Sequence, residues 1–204
     1  MGEIALVIQL ELGDMANFTY IIADKNTREA AVIDPSDDTD AILRAAKKEN
    51  LTIIAVLLTH GHYDHVGGAD KLASTLKIPV YLSKDEFFAY VPRCKNLTRT
   101  DEKTKITIGN LNVEILSTPG HTPGCQSFLV EENLFTGDTL FVDAVGRTDF
   151  PGGSSATLFQ SLARIKKLPD TTIIWPGHNY GAVSHATLGV LKKENPFLAD
   201  QPDK

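Results

Sequence analysis

Apolar, β-branched stretches alternate along this chain with charged segments rich in Gly and Pro. The first three, Ile4 to Leu12, Phe18 to Ala23 and Ala30 to Asp34, read as strands. The polar turn Asp24-Lys25-Asn26-Thr27 joins the second to the third and predicts an N-terminal meander. Asp37-Asp38-Thr39 offers an N-cap for a helix running to about Lys48, with Ile42, Ala45 and Ala46 on its apolar face. Ile53 to Leu58 is a continuous apolar run and reads as a buried strand. It is followed by a helix from Gly68 to Leu76 and a strand from Pro79 to Leu82. Tyr90 to Lys105 has no period and reads as irregular. Strands are predicted at Lys105 to Ile108, Val113 to Leu116, Gln126 to Val130 and Leu134 to Phe135. A Gly/Pro-rich loop from Val142 to Ser155 leads to a helix at Leu158 to Lys166, a strand at Thr172 to Trp175 and a last helix at Ala186 to Glu194. Strand runs before and after central helices predict an α/β (α+β) class with sheet packed on sheet and helices outside.

The strand ends carry the chemistry. Thr59-His60-Gly61-His62-Tyr63-Asp64-His65 follows directly on Ile53 to Leu58, so three imidazoles and a carboxylate crowd where a strand leaves the core. Such a cluster repels itself when protonated and is poorly hydrated when buried, and a divalent cation relieves both penalties. His121 in Pro119-Gly120-His121-Thr122 and His178 in Pro176-Gly177-His178 repeat the context of an apolar stretch ending in a turn with a His. Gly137-Asp138 closes another strand, with a Gly that lets the backbone approach closely. Five histidines and two aspartates exceed the roughly four ligands of one tetrahedral zinc, which suggests two metals sharing a bridging ligand. His185 has no such context and is expected on a helix surface.

Composition narrows the class. With 204 residues, 42% of them hydrophobic, the chain can bury its own core, and residues 1–204 read as one catalytic domain. No apolar stretch approaches the roughly 18 residues of a membrane span, and Met1-Gly2-Glu3 lacks a basic leader, so the expected location is cytoplasmic, away from membranes. Cys94 and Cys125 are too few for a disulfide framework and read as reduced, structural thiols. A net charge of −6 with no basic run argues against nucleic acid as a partner and leaves small molecules as substrates.

The motif His60-x-His62-x-Asp64-His65, followed by lone His121, Asp138 and His178, resembles the metallo-β-lactamase superfamily. Within it the chain is most similar to the small members of the glyoxalase II (hydroxyacylglutathione hydrolase) group, over Asn17 to Leu198. The resemblance implies an αββα sandwich with metals at one edge of the sheets. It implies that His60, His62 and His121 hold one metal and Asp64, His65 and His178 a second. Asp138 would bridge, making Asp64 and Asp138 the carboxylates of the catalytic centre. Two divalent ions are expected, zinc first, with iron or manganese as alternatives. True β-lactamases carry Cys where this chain has Asp138, and diiron oxygen reductases carry Glu where it has His62, so neither branch fits. Asp34 is placed like the superfamily's Asp that braces the ligand loop.

The implied reaction is hydrolysis of a thioester such as an S-2-hydroxyacylglutathione by metal-activated water. Arg147 stands where glyoxalase II carries a Lys or Arg gripping a glutathione carboxylate, and Tyr180 matches a glutathione-contacting Tyr. Arg147 is equally readable as a brace for its own loop through Asp149. The helical C-terminal domain of glyoxalase II proper, with its further basic glutathione contacts, is not expected here. Gly146-Arg147-Thr148-Asp149-Phe150 is also similar to a loop of persulfide dioxygenases. In that alternative, His60, His121 and Asp138 would hold a single iron. Lactone or phosphodiester hydrolysis is a third possibility within the same fold.

Overall fold

The computed structural model describes residues 4–87 and 90–199; Met1-Gly2-Glu3 lies outside them. The N-terminal half builds one six-stranded sheet from β1 (Ala5–Leu12), β2 (Asn17–Asp24), β3 (Glu29–Ile33), β4 (Thr52–Leu57), β5 (Val80–Ser83) and β6 (Leu97–Thr100), in that spatial order. The first three strands are antiparallel and the rest parallel. Helices α1 (Thr39–Lys48), α2 (Tyr63–Val66) and α3 (Ala69–Leu76) lie in the crossovers on either side of β4. The second sheet orders as β12-β11-β10-β9-β8-β7. Its strands are β7 (Ile106–Ile108), β8 (Leu111–Ser117), β9 (Gln126–Val130), β10 (Asn133–Gly137), β11 (Ile173–Pro176) and β12 (Ala186–Thr187). Helix α4 (Ser155–Ile165) links β10 to β11, and α5 (Leu188–Glu194) follows β12.

Alternation along each strand makes the layers. On β2, Tyr20 and Ile22 point to the middle of the molecule and meet Phe128 and Phe135 of the second sheet. Ile21 and Ala23, one step out of phase, pack with Ile42 of α1 and Leu72 of α3 on the outer side. Leu134 and Ile174 turn from the opposite sheet towards Leu158 and Leu162 of α4. Both faces of each sheet are therefore covered, which is the αββα sandwich that the resemblance implies.

Several elements differ from the sequence-based expectations. Leu97–Thr100, inside the stretch read as irregular, is an edge strand paired in parallel with β5; its sequence LTRT is polar because only one flank is protected. Ala186–Thr187 pairs with β11 rather than opening the last helix, so α5 starts at Leu188. His185 accordingly lies off any helix and stacks on Trp175, with ring centroids 4.1 Å apart. Helix α4 starts earlier than the apolar pattern suggests, because Ser154 caps it by accepting from the Thr157 N–H.

Topology gathers the polar strand ends. β3 and β4 run parallel, as do β10 and β11, while β8 and β10 are each antiparallel to β9 and so share one direction. The segments that follow β3, β4, β8, β10 and β11 thus emerge at a common edge. Asn17, at the start of the antiparallel β2, joins them: it bridges to His178, and Phe18 donates to the Gly177 carbonyl at 2.8 Å.

Candidate metal centre

At this edge the six imidazole and carboxylate side chains fall into two trios with a seventh between them. In one, the Nε2 atoms of His60 and His121 lie 3.1 and 2.9 Å from Nδ1 of His62. In the other, His65 Nε2 lies 3.1 Å from His178 Nε2, and Asp64 Oδ2 lies 3.4 and 3.5 Å from those two nitrogens. Asp138 reaches both trios: Oδ2 is 3.5 Å from His121 and 3.4 Å from His178, and Oδ1 is 3.4 Å from His65. The four-residue helix α2 orients Asp64 and His65, with the extended His62 as the residue preceding its first turn.

The other ring nitrogens of His60, His65, His121 and His178 are held by acceptors that decide the tautomers. His121 Nδ1 donates to the Arg147 carbonyl at 2.7 Å, His178 Nδ1 to the Met15 carbonyl at 2.9 Å, and His65 Nδ1 to Asp34 Oδ2 at 3.1 Å. Thr59 gives its hydroxyl proton to Asp34 at 2.6 Å, which leaves its oxygen to accept from His60 Nδ1 at 3.0 Å. In the neutral tautomers so set, the Nε2 lone pairs of His60, His65, His121 and His178 face the middle of the site, an arrangement that a cation makes favourable. Asp138 Oδ1 is buried without a hydrogen-bond partner. A Cβ on Gly177 would stand 2.4 Å from that same oxygen, so the chain leaves this space open by using Gly. These donors fit divalent metal.

Electrostatics lead to the same fit. Burial, then the neighbouring imidazoles, push His62 down to about 4 and His60 well below its ordinary value. Burial also opposes a charge on His65, but Asp138, Asp34 and Asp64 outweigh it and raise it to about 9. Asp138 is buried as well, yet His65, His178 and His60 hold it well below the usual carboxylate range. A cluster whose members are driven in opposite directions has no comfortable protonation state of its own, and metal ions take the place of the protons.

Asn17 and Glu86 support the centre without a sequence signal, whereas Asp34 and Cys125 had one. Asn17 Nδ2 donates to Asp64 Oδ2 at 2.8 Å. Both oxygens of Asp34 are engaged, Oδ1 by the Thr59 N–H at 2.8 Å, so Asp34 braces the loop although it lies near His60 and His65. Its φ of 49° is a left-handed conformation that Asp tolerates better than most residues. Glu86 is wholly buried behind the first trio: its carboxyl accepts from Thr122 Oγ1, beside His121, and is acted on by the N–H of Gly61, between His60 and His62. Cys125 is buried, and that burial pushes its thiol up to about 12, which removes it as a nucleophile.

The Lactamase_B model, described as the metallo-beta-lactamase superfamily, matches residues 12–178. The chain belongs to the metallo-β-lactamase superfamily. It is 40% identical over 183 residues to the probable polyketide biosynthesis zinc-dependent hydrolase PksB of Bacillus subtilis, covering 89% of this chain and 81% of PksB. It is 38% identical over 191 residues to the hydroxyacylglutathione hydrolase GloC of Haemophilus influenzae, covering 84% of this chain and 88% of GloC. Among solved structures it is similar to ETHE1 from Myxococcus xanthus, with a TM-score of 0.85 and 33% identity, covering 94% of this chain and 83% of that one. This member of the superfamily is a metal-dependent hydrolase, and among the described residues no helix is long and apolar enough to cross a membrane.

A cavity of about 530 Å³ opens over the two trios. Aromatic rings flank the imidazoles on its walls. Phe150 stands edge-on to His62 at 4.9 Å and to His121 at 5.4 Å, and Tyr180 stacks flat on His178 at 4.6 Å. The Arg147 guanidinium forms two hydrogen bonds with Asp149, at 2.9 and 2.7 Å, and lies 4.8 Å from the centre of the Phe150 ring.

Proposed function

We propose that this protein is a dinuclear thioesterase, holding one divalent ion on His60, His62 and His121 and a second on Asp64, His65 and His178. The observation that carries this reading is Asp138, whose two oxygens face both trios at 3.4 to 3.5 Å. Zinc is the first candidate. When bound, such ions lower the pKa of water from about 15.7 towards 7 and polarise an acyl oxygen. Asp138 would offer an oxygen to each position, and Asn17 steadies Asp64 within the second trio. Phe150 and Tyr180 flank the imidazoles at the cavity wall. No side-chain nucleophile is required, consistent with the inert Cys125. A thiolate leaving group has a conjugate acid of pKa about 8.5 and departs with little help from a general acid.

A second reading, oxidation of a persulfide at a single iron on His60, His121 and Asp138, draws support from the proximity of Asp138 Oδ2 to His121, 3.5 Å, and from the Gly146–Phe150 loop. The two separate cleanly by experiment. The metal-loaded protein is given S-D-lactoylglutathione in one vessel and glutathione persulfide in another, and thiol release and oxygen consumption are followed. Thiol release without oxygen uptake is expected. Oxygen uptake with one iron per chain and no thioester cleavage would replace the thioesterase with the dioxygenase.

A further inference from the structure

The cavity above the metal centre has an unusual balance of groups for a site that would hold glutathione, which carries two carboxylates. Beyond the imidazoles and carboxylates its lining includes Met15, Phe141, Val145, Phe150, Pro151 and Tyr180, with Tyr63 and Thr122 as the other polar side chains besides Arg147. Met15 and Tyr180 leave 42% and 56% of their surface exposed at the rim, so apolar surface is available before any substrate arrives. Among the described residues lining the cavity, Arg147 is the one Lys or Arg side chain. Its guanidinium is already matched by both oxygens of Asp149 and lies over Phe150 rather than reaching out. Its contribution to the ligand loops runs through its backbone carbonyl, which holds His121. An entering carboxylate would have to displace Asp149 to gain a charge-assisted partner, whereas a hydrocarbon chain meets Phe150, Phe141 and Val145 directly.

We infer that this cavity selects an uncharged, apolar acyl chain of several carbons, carried on a thiol whose carboxylates, if any, are not gripped by the protein. The inference rests on the thioesterase reading for the reaction but on the cavity walls for the specificity. Phe150 is the specificity-determining residue, because its ring joins the first trio of donors to the apolar wall. Each methylene that the wall covers then raises kcat/KM on the order of fourfold, the factor that corresponds to burying one CH₂.

Two sets of compounds test this on the metal-loaded protein. The first is a series of N-acetylcysteamine thioesters with straight acyl chains of increasing length, assayed beside S-D-lactoylglutathione and the glutathione thioester of the same longest acyl group. The second is the matching series of non-hydrolysable S-alkyl thioethers of N-acetylcysteamine and of glutathione, whose dissociation constants are measured by calorimetry. The expected result is a steady rise of affinity and of kcat/KM with chain length, no advantage for the glutathione compounds at equal chain length, and a flattened slope in Phe150→Ala. A flat chain-length profile in binding overturns the inference, and so does a glutathione thioether that binds tenfold or more tightly than its neutral counterpart. If no thioester is cleaved while the thioethers still bind with the rising profile, the thioesterase reading fails and the specificity of the cavity stands.

Discussion

The side-chain amide of Asn17 donates to Asp64 Oδ2 at 2.8 Å, linking the first residue of β2 to the second trio of the metal centre. That oxygen is also the one facing His65 and His178. Asn17→Ala leaves Asp64 free to rotate. It is expected to weaken metal binding at the second trio roughly tenfold to a hundredfold, the usual effect of losing a partner behind a ligand. Stepwise metal titration of the variant measures this. Two unaltered binding steps would remove Asn17 from any role at the centre.

Asp138 and Gly177 form a pair of tests for the bridging carboxylate. Asp138→Ala is expected to reduce metal content from close to two ions per chain and to abolish most activity. Gly177→Ala is expected to do the same by another route, since its Cβ would intrude to 2.4 Å from Asp138 Oδ1. Elemental analysis of both purified variants checks the pair. A full metal complement in Asp138→Ala would contradict bridging.

Glu86 offers a pH signature. Burial, only partly offset by Thr122, Gly61 and Arg99, raises its pKa above the ordinary 4.5, so folding favours the protonated carboxyl. The sign follows: the wild type is best off below the ordinary value and loses stability as pH rises from there through the raised pKa of the folded state. Glu86→Gln lacks this loss. The melting temperature of the wild type should therefore fall relative to that of Glu86→Gln as pH is raised across that window. Parallel curves at all pH values would place the folded-state pKa at its ordinary position.

Arg147 and Asp149 are both mostly exposed, with 69% and 66% of their side chains accessible, and the pair is a surface one of small consequence for stability. Arg147→Ala is expected to lower kcat/KM by the same modest factor for a glutathione thioester and for a neutral thioester of the same acyl group, with normal metal content. A loss of tenfold or more confined to the glutathione compound, appearing in KM alone, would instead assign the guanidinium to a substrate carboxylate.

Much of this protein is written in its local pattern. An apolar run such as Ile53 to Leu58 can only be buried, so the polar residues that follow it must emerge at the edge of a sheet, and His60 to His65 were legible as a cluster for that reason. The same logic located His121, Asp138 and His178 at strand ends, and the strand runs before and after the central helices announced two packed layers. Strands without an apolar period were not legible: Leu97–Thr100 and Ala186–Thr187 are strands because a neighbouring edge offers hydrogen bonds, and that edge is far away in sequence. The partners of the centre were hidden for the same reason. Nothing around Asn17, Glu86 or the Met15 carbonyl marks them, because each acts on a residue brought to it by parallel strands and crossovers. The choice of Nδ1 on His62 but Nε2 on the other imidazoles, and the pairing of Arg147 with Asp149 over Phe150, are likewise decided by packing. The local pattern of residues establishes which chemical groups stand at the ends of which strands. Tertiary structure alone decided which atom faces which, since hydrogen-bond direction and side-chain orientation depend on neighbours that only the closed sandwich supplies.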